Sequence, residues 1–332
     1  MKKIINQVEN IVDEMLKGAV KAHPEDLKRV DGFNVLVRTN APVKGRVALV
    51  SGGGSGHEPS HGGFVGMGML SGAVAGEVFT SPTPDQVYEA IKAVDGGDGV
   101  LLVIKNYSGD IMNFEMAAEL AEADGIKVGN VVVNDDVAVE DSLYTTGRRG
   151  IAGTVFVHKI AGAAAERGES LDEVVRIANK VNSNMRSMGM SLTPCTVPAA
   201  GKPGFEIPDD ELEMGLGIHG EPGTHREKIK SANEIAKYLL EKILGDMPLE
   251  ENTEVAVMVN GLGGTPLMEK YILNNAVYDY LNDKKLSIHK TMIGNYMTSL
   301  EMAGLSLTVL KLDDELKTLL NAPANTPAFK QF

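Results

Sequence analysis

The chain has 332 residues, a length that predicts two domains rather than one ordinary core. Hydrophobic residues make up 43% of it and charged residues 23%, as expected for a soluble globular protein. The net charge of −13 argues against a surface that binds nucleic acid or anionic membrane, and the single cysteine, Cys195, excludes an internal disulfide.

The first predicted element is an amphipathic helix near the N-terminus. The segment lacks the continuous apolar core of a signal peptide, and its apolar residues recur at helical spacing. They are Ile4, Ile5, Val8, Ile11, Val12, Met15 and Leu16. No stretch of the sequence is long and apolar enough to cross a membrane. With a single cysteine, these features favour a protein of the reducing cytoplasm.

Strand and helix patterns alternate through the first half of the chain. Thr83 and Pro84 are typical of a helix start, with Gln86 completing a capping box, and Ser170 with Glu173 repeats this pattern. Strand–loop–helix units in this order predict a largely parallel α/β sheet. Strands are predicted over residues 47–50, 100–104 and 128–133, and helices over 114–123 and 151–167.

The pattern changes near residue 185. We predict two α/β domains, 1–185 and 186–332, each with a largely parallel or mixed sheet flanked by helices. In the second half, strands are predicted over 188–197, 211–218, 254–259, 287–293 and 305–310, helices over 226–244 and 267–281, and a last helix capped by Asp313.

Residues 51–63 read SGGGSGHEPSHGG and contain a match to the zinc-protease pattern H-E-x-x-H. That pattern needs His57 and His61 one turn apart on an established helix. Here His57 follows a run of glycine and serine, Pro59 fits only a first helical turn, and two glycines follow His61. A third ligand at the usual spacing is also missing, so we reject the zinc interpretation.

The glycine run before His57 does not fit a nucleotide loop. A P-loop needs a lysine and a hydroxyl residue after its last glycine, but Gly56 is followed by His57 and Glu58. The G-x-G-x-x-G pattern fails in register, since its third glycine would fall on His57 or, in a later run, on Pro266. Two interpretations stay open for this run: backbone N–H groups that hold a polar ligand, or only a tight strand-to-helix turn.

Two of the seven histidines differ from the rest. His57 and His219 each lie in a glycine-rich loop at a predicted strand end, where open α/β sheets bind ligands. Lys105 and Asp110 share the loop after the strand at 100–104. Each residue alone has an ordinary structural explanation, but their joint placement favours a site. We expect structural roles for His23, His158 and His289, and for His225 at the start of a helix.

Five segments carry a resemblance to a known family. They are GGGSGHEP (52–59), KNYSGDIMNFEMAAELA (105–121), NVVVNDDVAV (130–139), GRRGIAGT (147–154) and GIHGEPG (217–223). In this order they resemble the dihydroxyacetone-binding subunit of the dihydroxyacetone kinase family, and the resemblance continues through VNGLGGTP (259–266) into the last helices.

The resemblance implies a role for each matching position. His219 corresponds to the family residue that joins the ketone carbon as a hemiaminal. His57 and Asp110 correspond to the acid/base pair that takes a proton from the terminal hydroxyl as it attacks phosphorus. Gly54, Ser55 and Lys105 match positions that contact the substrate. On this interpretation residues 51–63 form a substrate loop that binds neither zinc nor nucleotide.

The resemblance also implies partners. The sequence resembles the bacterial split form of the kinase, in which a separate subunit carries ADP and magnesium and is rephosphorylated by a phosphotransferase-system protein. We therefore expect no cofactor in this chain, and the family resemblance implies a homodimer.

Two other functions stay open at this point. One is a paralogue that binds dihydroxyacetone without catalysis and acts as a coactivator of a transcription regulator; the presence of His57, Asp110 and His219 together favours catalysis. The other is an α/β enzyme for a different small polar metabolite.

Overall fold

The structure is a computed structural model that describes residues 2–140 and 145–332. Its first half is built on a mixed six-stranded sheet in the order β1-β2-β4-β3-β5-β6. The three pairings β3–β4, β3–β5 and β5–β6 are parallel, while β2 pairs antiparallel with both of its neighbours. The strands are β1 (Leu27–Arg29), β2 (Val35–Arg38), β3 (Ala48–Ser55), β4 (Gly72–Val78), β5 (Val100–Lys105) and β6 (Val128–Val133).

Helices cover both faces of this sheet. They are α1 (Ile11–Ala22), α2 (Pro84–Val94), α3 (Ser108–Ala123), α4 (Thr154–Glu166) and α5 (Leu171–Ser183). Side chains alternate along a strand, so the neighbours Leu101 and Leu102 of β5 enter different cores. Leu101 joins the cluster that contains Phe156 of α4, and Leu102 joins the one that contains Phe114 of α3.

A second six-stranded sheet has the order β11-β10-β12-β7-β8-β9, and only β10 and β11 run parallel. Its strands are β7 (Met185–Ser191), β8 (Glu211–Met214), β9 (His225–Lys228), β10 (Glu254–Gly261), β11 (Ser287–Gly294) and β12 (Gly304–Lys311). The remaining elements are α6 (Ala232–Asp246), α7 (Leu267–Asp283), α8 (Asp314–Asn321) and the hairpin strands β13 (Ala324–Asn325) and β14 (Lys330–Gln331).

Helix α4 lies in the core that the two sheets share. Every residue of α4 from Thr154 to Ala165 is buried, as expected for a helix that is packed on all sides. The same cluster includes Leu101 of the first sheet and Met258 of the second. The second sheet begins at Met185, and the division into independent domains at residue 185 stays a prediction. No described helix, within residues 2–140 and 145–332, has the length and apolar character of a membrane span.

Several predicted boundaries are wrong, and tertiary contacts explain them. Gly52, Gly53 and Gly54 continue strand β3 instead of forming a turn, because they pair with β4. The segment from His225 is not helical; it forms β9, which pairs with β8. Strands predicted to reach 197 and 218 end at Ser191 and Met214. The N-terminal helix begins only at Ile11, where Val12 and Leu16 reach the core.

Three histidines are buried in the first half, and each is held neutral. Burial lowers the pKa of His57 and of His61 well below the usual value, with contributions from His219 for the first and from Lys105 for both. Burial, reinforced by Lys105, lowers the pKa of His158 to about 3. The unfolded chain takes up these protons below about pH 6.5, so acid favours unfolding.

We expect the free energy of unfolding to fall as the pH drops below about 6.5, by up to about 1.4 kcal/mol per pH unit for each of these histidines. His158→Gln should reduce the change of unfolding free energy with pH by the amount that corresponds to about one bound proton. Denaturant titrations at several pH values measure this change. Val157→Ala, a neighbouring substitution without a titrating group, should lower stability but keep the slope. An unchanged slope in His158→Gln would contradict this assignment.

Candidate active site

A cleft of about 740 Å³ lies beyond the carboxyl ends of β3 and β5. In open α/β sheets this edge is where ligands bind. The loop after β8 of the second sheet closes the cleft from the other side, so both halves of the chain contribute to it. The cleft is lined by Gly54, Phe79, Thr80, Ser81, Tyr107, Ser108, Gly109, Asp110, Asn113, His219, Gly220, Glu221 and Pro222.

The glycines of β3 admit neighbouring groups to the strand. A Cβ on Gly53 would collide with Nζ of Lys105 and would lie 3.4 Å from Oδ2 of Asp110. Gly53 also has a φ of +154°, a conformation that side-chain-bearing residues rarely adopt. The glycine run therefore makes room for Lys105 and Asp110 behind the cleft.

His57 follows β3 and is completely buried. Its Nδ1–H donates to the carbonyl oxygen of Thr298 at 2.7 Å, and its ring stacks on Phe79 with the ring centroids 5.1 Å apart. Its Nε2 lies 3.0 Å from Nε2 of His219. These contacts fix the ring plane and direct one nitrogen at the cleft histidine.

His219 lies on the loop after β8, and its side chain keeps about 20% of its surface exposed to the cleft. Its Nδ1–H donates to Oε1 of Glu221 at 2.8 Å, and its backbone N–H donates to Oε2 at 2.9 Å. Burial alone would raise the pKa of Glu221, but His219 and Arg149 outweigh it and bring this pKa to about 2. Glu221 is therefore a fixed carboxylate behind the exposed imidazole.

The two facing nitrogens require one proton between them. Both Nδ1 atoms donate, since a carbonyl and a carboxylate can only accept, and a neutral ring then has a lone pair at Nε2. Two lone pairs repel at 3.0 Å, so one Nε2 carries a proton. Burial disfavours charge on His57, while His219 is partly exposed and has the Glu221 carboxylate beside it. The contact thus provides a direct path for a proton between the two rings.

Asp110 lies in the first turn of α3 and lines the cleft. Its Oδ1 accepts a hydrogen bond of 2.5 Å from the Ser81 hydroxyl, and its Oδ2 lies 3.3 Å from Nζ of Lys105. A carboxylate held by a hydroxyl and an ammonium is well oriented for proton transfer with a ligand in the cleft.

The structure brings most of the sequence-predicted residues together. Gly54, Asp110 and His219 line the cleft, while His57 touches His219 from behind. Lys105 is buried beneath Gly53, and the Ser55 hydroxyl donates to the carbonyl of Gly76 at 2.7 Å, facing a separate cavity on the other side of β3. The H-E-x-x-H residues lie in turns, and the two histidines face different neighbours.

Several residues of the candidate site were missed by the sequence analysis. Glu221 lies within the GIHGEPG segment, and Gly217 makes room for its carboxylate, because a Cβ there would collide with Oε2. Ser81, Phe79 and Thr298 lie outside every quoted motif, so no sequence signal pointed to them.

A family model, the Dak1 domain, matches residues 17–328 of this chain. The cleft, with its paired histidines and its carboxylate, is thus part of a Dak1 domain, and the chain belongs to that family. The resemblance seen in the sequence is confirmed.

Among its relatives is the PTS-dependent dihydroxyacetone kinase 1, dihydroxyacetone-binding subunit DhaK, of Listeria innocua, which is 57% identical over 99% of this chain and 100% of that protein. The crystal structure of the dihydroxyacetone kinase of C. freundii superposes with a TM-score of 0.92 at 37% identity, over 99% of this chain and 60% of that one. The dihydroxyacetone kinase operon co-activator Dha-DhaQ gives a TM-score of 0.91 at 36% identity, over 98% of this chain and 99% of that one.

Gly53→Ala tests whether the glycines of β3 are needed for the close approach of the Lys105 side chain. The new Cβ displaces Lys105, so we expect a loss of about 2–3 kcal/mol in the free energy of unfolding, measured by denaturant titration. Gly245→Ala is the matched control, because nothing lies within 4 Å of its Cβ position in α6. That variant should gain up to about 1 kcal/mol. Equal stability of the two variants would contradict the assignment.

Proposed function

We propose that this chain is the dihydroxyacetone-binding subunit of a phosphotransferase-system-dependent dihydroxyacetone kinase. The observation that carries the proposal is the pair of facing Nε2 atoms of His57 and His219, with the Glu221 carboxylate behind the exposed ring. This arrangement supplies an imidazole nucleophile and a neighbouring base at a cleft wall. The names and high identity of the relatives support the same substrate.

The proposed first step is covalent capture of the ketone. The proton on His219 Nε2 passes to His57 Nε2, and the freed lone pair attacks the ketone carbon. As the carbon–nitrogen bond forms, the carbonyl π electrons move to oxygen, which then receives the proton from His57. The product is a hemiaminal whose substituted imidazolium faces Glu221, and the total charge is unchanged. Glycerol has no carbonyl and forms no such adduct.

The proposed second step is phosphoryl transfer. After capture His57 is neutral again, and with Asp110 it forms the acid/base pair that takes the proton of the terminal hydroxyl as that oxygen attacks phosphorus. A separate subunit would carry the ADP or ATP and the magnesium ions, and a phosphotransferase-system protein would rephosphorylate that subunit. We further propose that the chain acts in the cytoplasm as a homodimer.

A non-catalytic role is the competing proposal, and the similarity to the co-activator Dha-DhaQ supports it. Such a protein needs the ketone adduct but no phosphoryl transfer. The buried Lys105–Asp110 pair at the cleft favours the kinase, because adduct formation through His219 does not require it.

We expect intact-protein mass spectrometry to detect one added dihydroxyacetone per chain. His219→Ala should abolish the added mass, since it removes the nitrogen that bonds to the ketone carbon in the proposed step. Asp110→Asn should keep it but slow dihydroxyacetone phosphate formation by about 10²–10⁴-fold in an assay with the nucleotide-carrying subunit and a phosphoryl donor. Adduct without turnover in the wild-type protein would favour the co-activator role; loss of both in Asp110→Asn would contradict the assigned roles.

Glu221→Gln keeps a hydrogen-bond acceptor for Nδ1 of His219 but removes the carboxylate charge that stabilises the proton shared with His57, which the carbonyl oxygen needs on capture. We expect adduct affinity to fall at least about tenfold, measured by mass spectrometry over a range of ketone concentrations. Glu213→Gln is the control, because that carboxylate accepts from the backbone N–H of Gly223 at 2.8 Å in the same region without a hydrogen bond to His219. Equal losses would mean that loop order, not charge, is responsible.

A further inference from the structure

The ammonium group of Lys105 is almost fully buried and makes three polar contacts. Its Nζ lies 3.0 Å from the carbonyl oxygen of Gly52, 3.3 Å from Oδ2 of Asp110 and 3.3 Å from Nε2 of His61. An ammonium has three N–H donors and no acceptor, so each donor has one partner. His61 therefore accepts one of the three hydrogen bonds that the ammonium group donates.

This contact fixes the tautomer of His61. Because Lys105 can only donate, Nε2 of His61 must accept, and the ring proton must be on Nδ1. The Nδ1–H in turn lies 3.0 Å from Nε2 of His158 and 3.4 Å from the Ser51 hydroxyl. The Ser51 hydroxyl donates to the carbonyl of Val103 at 2.7 Å, so it acts as an acceptor toward His61.

The chain of contacts ends at His158 in α4. Its Nε2 accepts from His61, so its own proton is on Nδ1, and this buried atom has no hydrogen-bond partner in the described part of the chain. An unpartnered buried donor is unfavourable, by about 1–3 kcal/mol. An aromatic side chain at this position would avoid that penalty, which indicates that the hydrogen bond to His61 has a use beyond packing.

We propose that His61 and His158 are positioning residues that hold the Lys105 ammonium against Asp110. A chain of hydrogen bonds with defined proton positions runs from His158 of α4 through His61 and Lys105 to the Asp110 carboxylate in the cleft. Neither histidine lines the cleft itself. The proposal rests on the proposed function in one respect, namely the role of Asp110 in proton transfer. Loss of the acceptor at His61 would leave one N–H of the buried Lys105 unpaired and release the ammonium from its position.

Two substitutions of His61 separate positioning from packing. In His61→Gln the amide oxygen occupies the place of Nε2 and can accept from Lys105. In His61→Asn the shorter amide takes the place of Nδ1, which keeps a group beside His158 but leaves Lys105 without its acceptor. We expect kcat for ketone phosphorylation to fall about 10–100-fold in His61→Asn and to recover to within about fivefold of wild type in His61→Gln.

Both variants should keep the KM for dihydroxyacetone and the mass of the adduct, since neither touches His219. Val157→Ala, next to His158 on α4, is the control for lost packing, and it should keep wild-type kcat even where its thermal stability falls as much as that of the His61 variants. Equal kcat losses in the asparagine and glutamine variants, or loss of the adduct in parallel with kcat, would assign His61 a structural role and overturn the proposal.

A second measurement needs no turnover and so separates this proposal from the proposed function. In ¹⁵N-histidine-labelled protein at pH 7, the His61 ring should carry its proton on Nδ1 and show Nε2 as a hydrogen-bonded acceptor. Lys105→Met should shift that Nε2 resonance toward that of a free lone pair. A proton on Nε2 of His61, or no change in Lys105→Met, would overturn the contact. If the wild-type protein gave the expected spectra but had no kinase activity, the proposed function would be refuted and the His61–Lys105 contact would stand.

Discussion

The site depends on one contact between two imidazole nitrogens that come from different halves of the chain. His57 follows a strand of the first sheet and His219 follows a strand of the second, and their Nε2 atoms meet at 3.0 Å. Since each Nδ1 is committed to an oxygen acceptor, a single proton must be shared at this contact. The two sheets share the core around α4, and this packing holds the two loops, and with them the two nitrogens, beside each other.

Opposite environments suit the two histidines to the different functions proposed for them. His57 is enclosed and kept neutral by burial, which suits a group that takes and returns a proton. His219 is partly exposed and has the fixed Glu221 carboxylate behind it, which suits the positively charged ring of the proposed adduct. Asp110, which also lines the cleft, is held by Ser81 and Lys105 in an orientation that suits the second proton transfer proposed.

The sequence predicted the local part of this arrangement. The strand over 128–133 and the N-caps Ser170 and Asp313 are confirmed, because short apolar runs and caps are determined locally. The glycine strand was mistaken for a loop, since its pairing with β4 is a long-range effect. Glu221 was missed because only the folded loop places it under His219. The His61–His158 contact joins residues 97 positions apart, which no local pattern reveals.

The most direct test of ketone capture by His219 is a crystal structure of the protein soaked with dihydroxyacetone. We expect continuous electron density between Nε2 of His219 and the ketone carbon, with the new hydroxyl beside His57 and a terminal hydroxyl toward Asp110. A ligand bound elsewhere, or one lying in the cleft without a bond to His219, would contradict it.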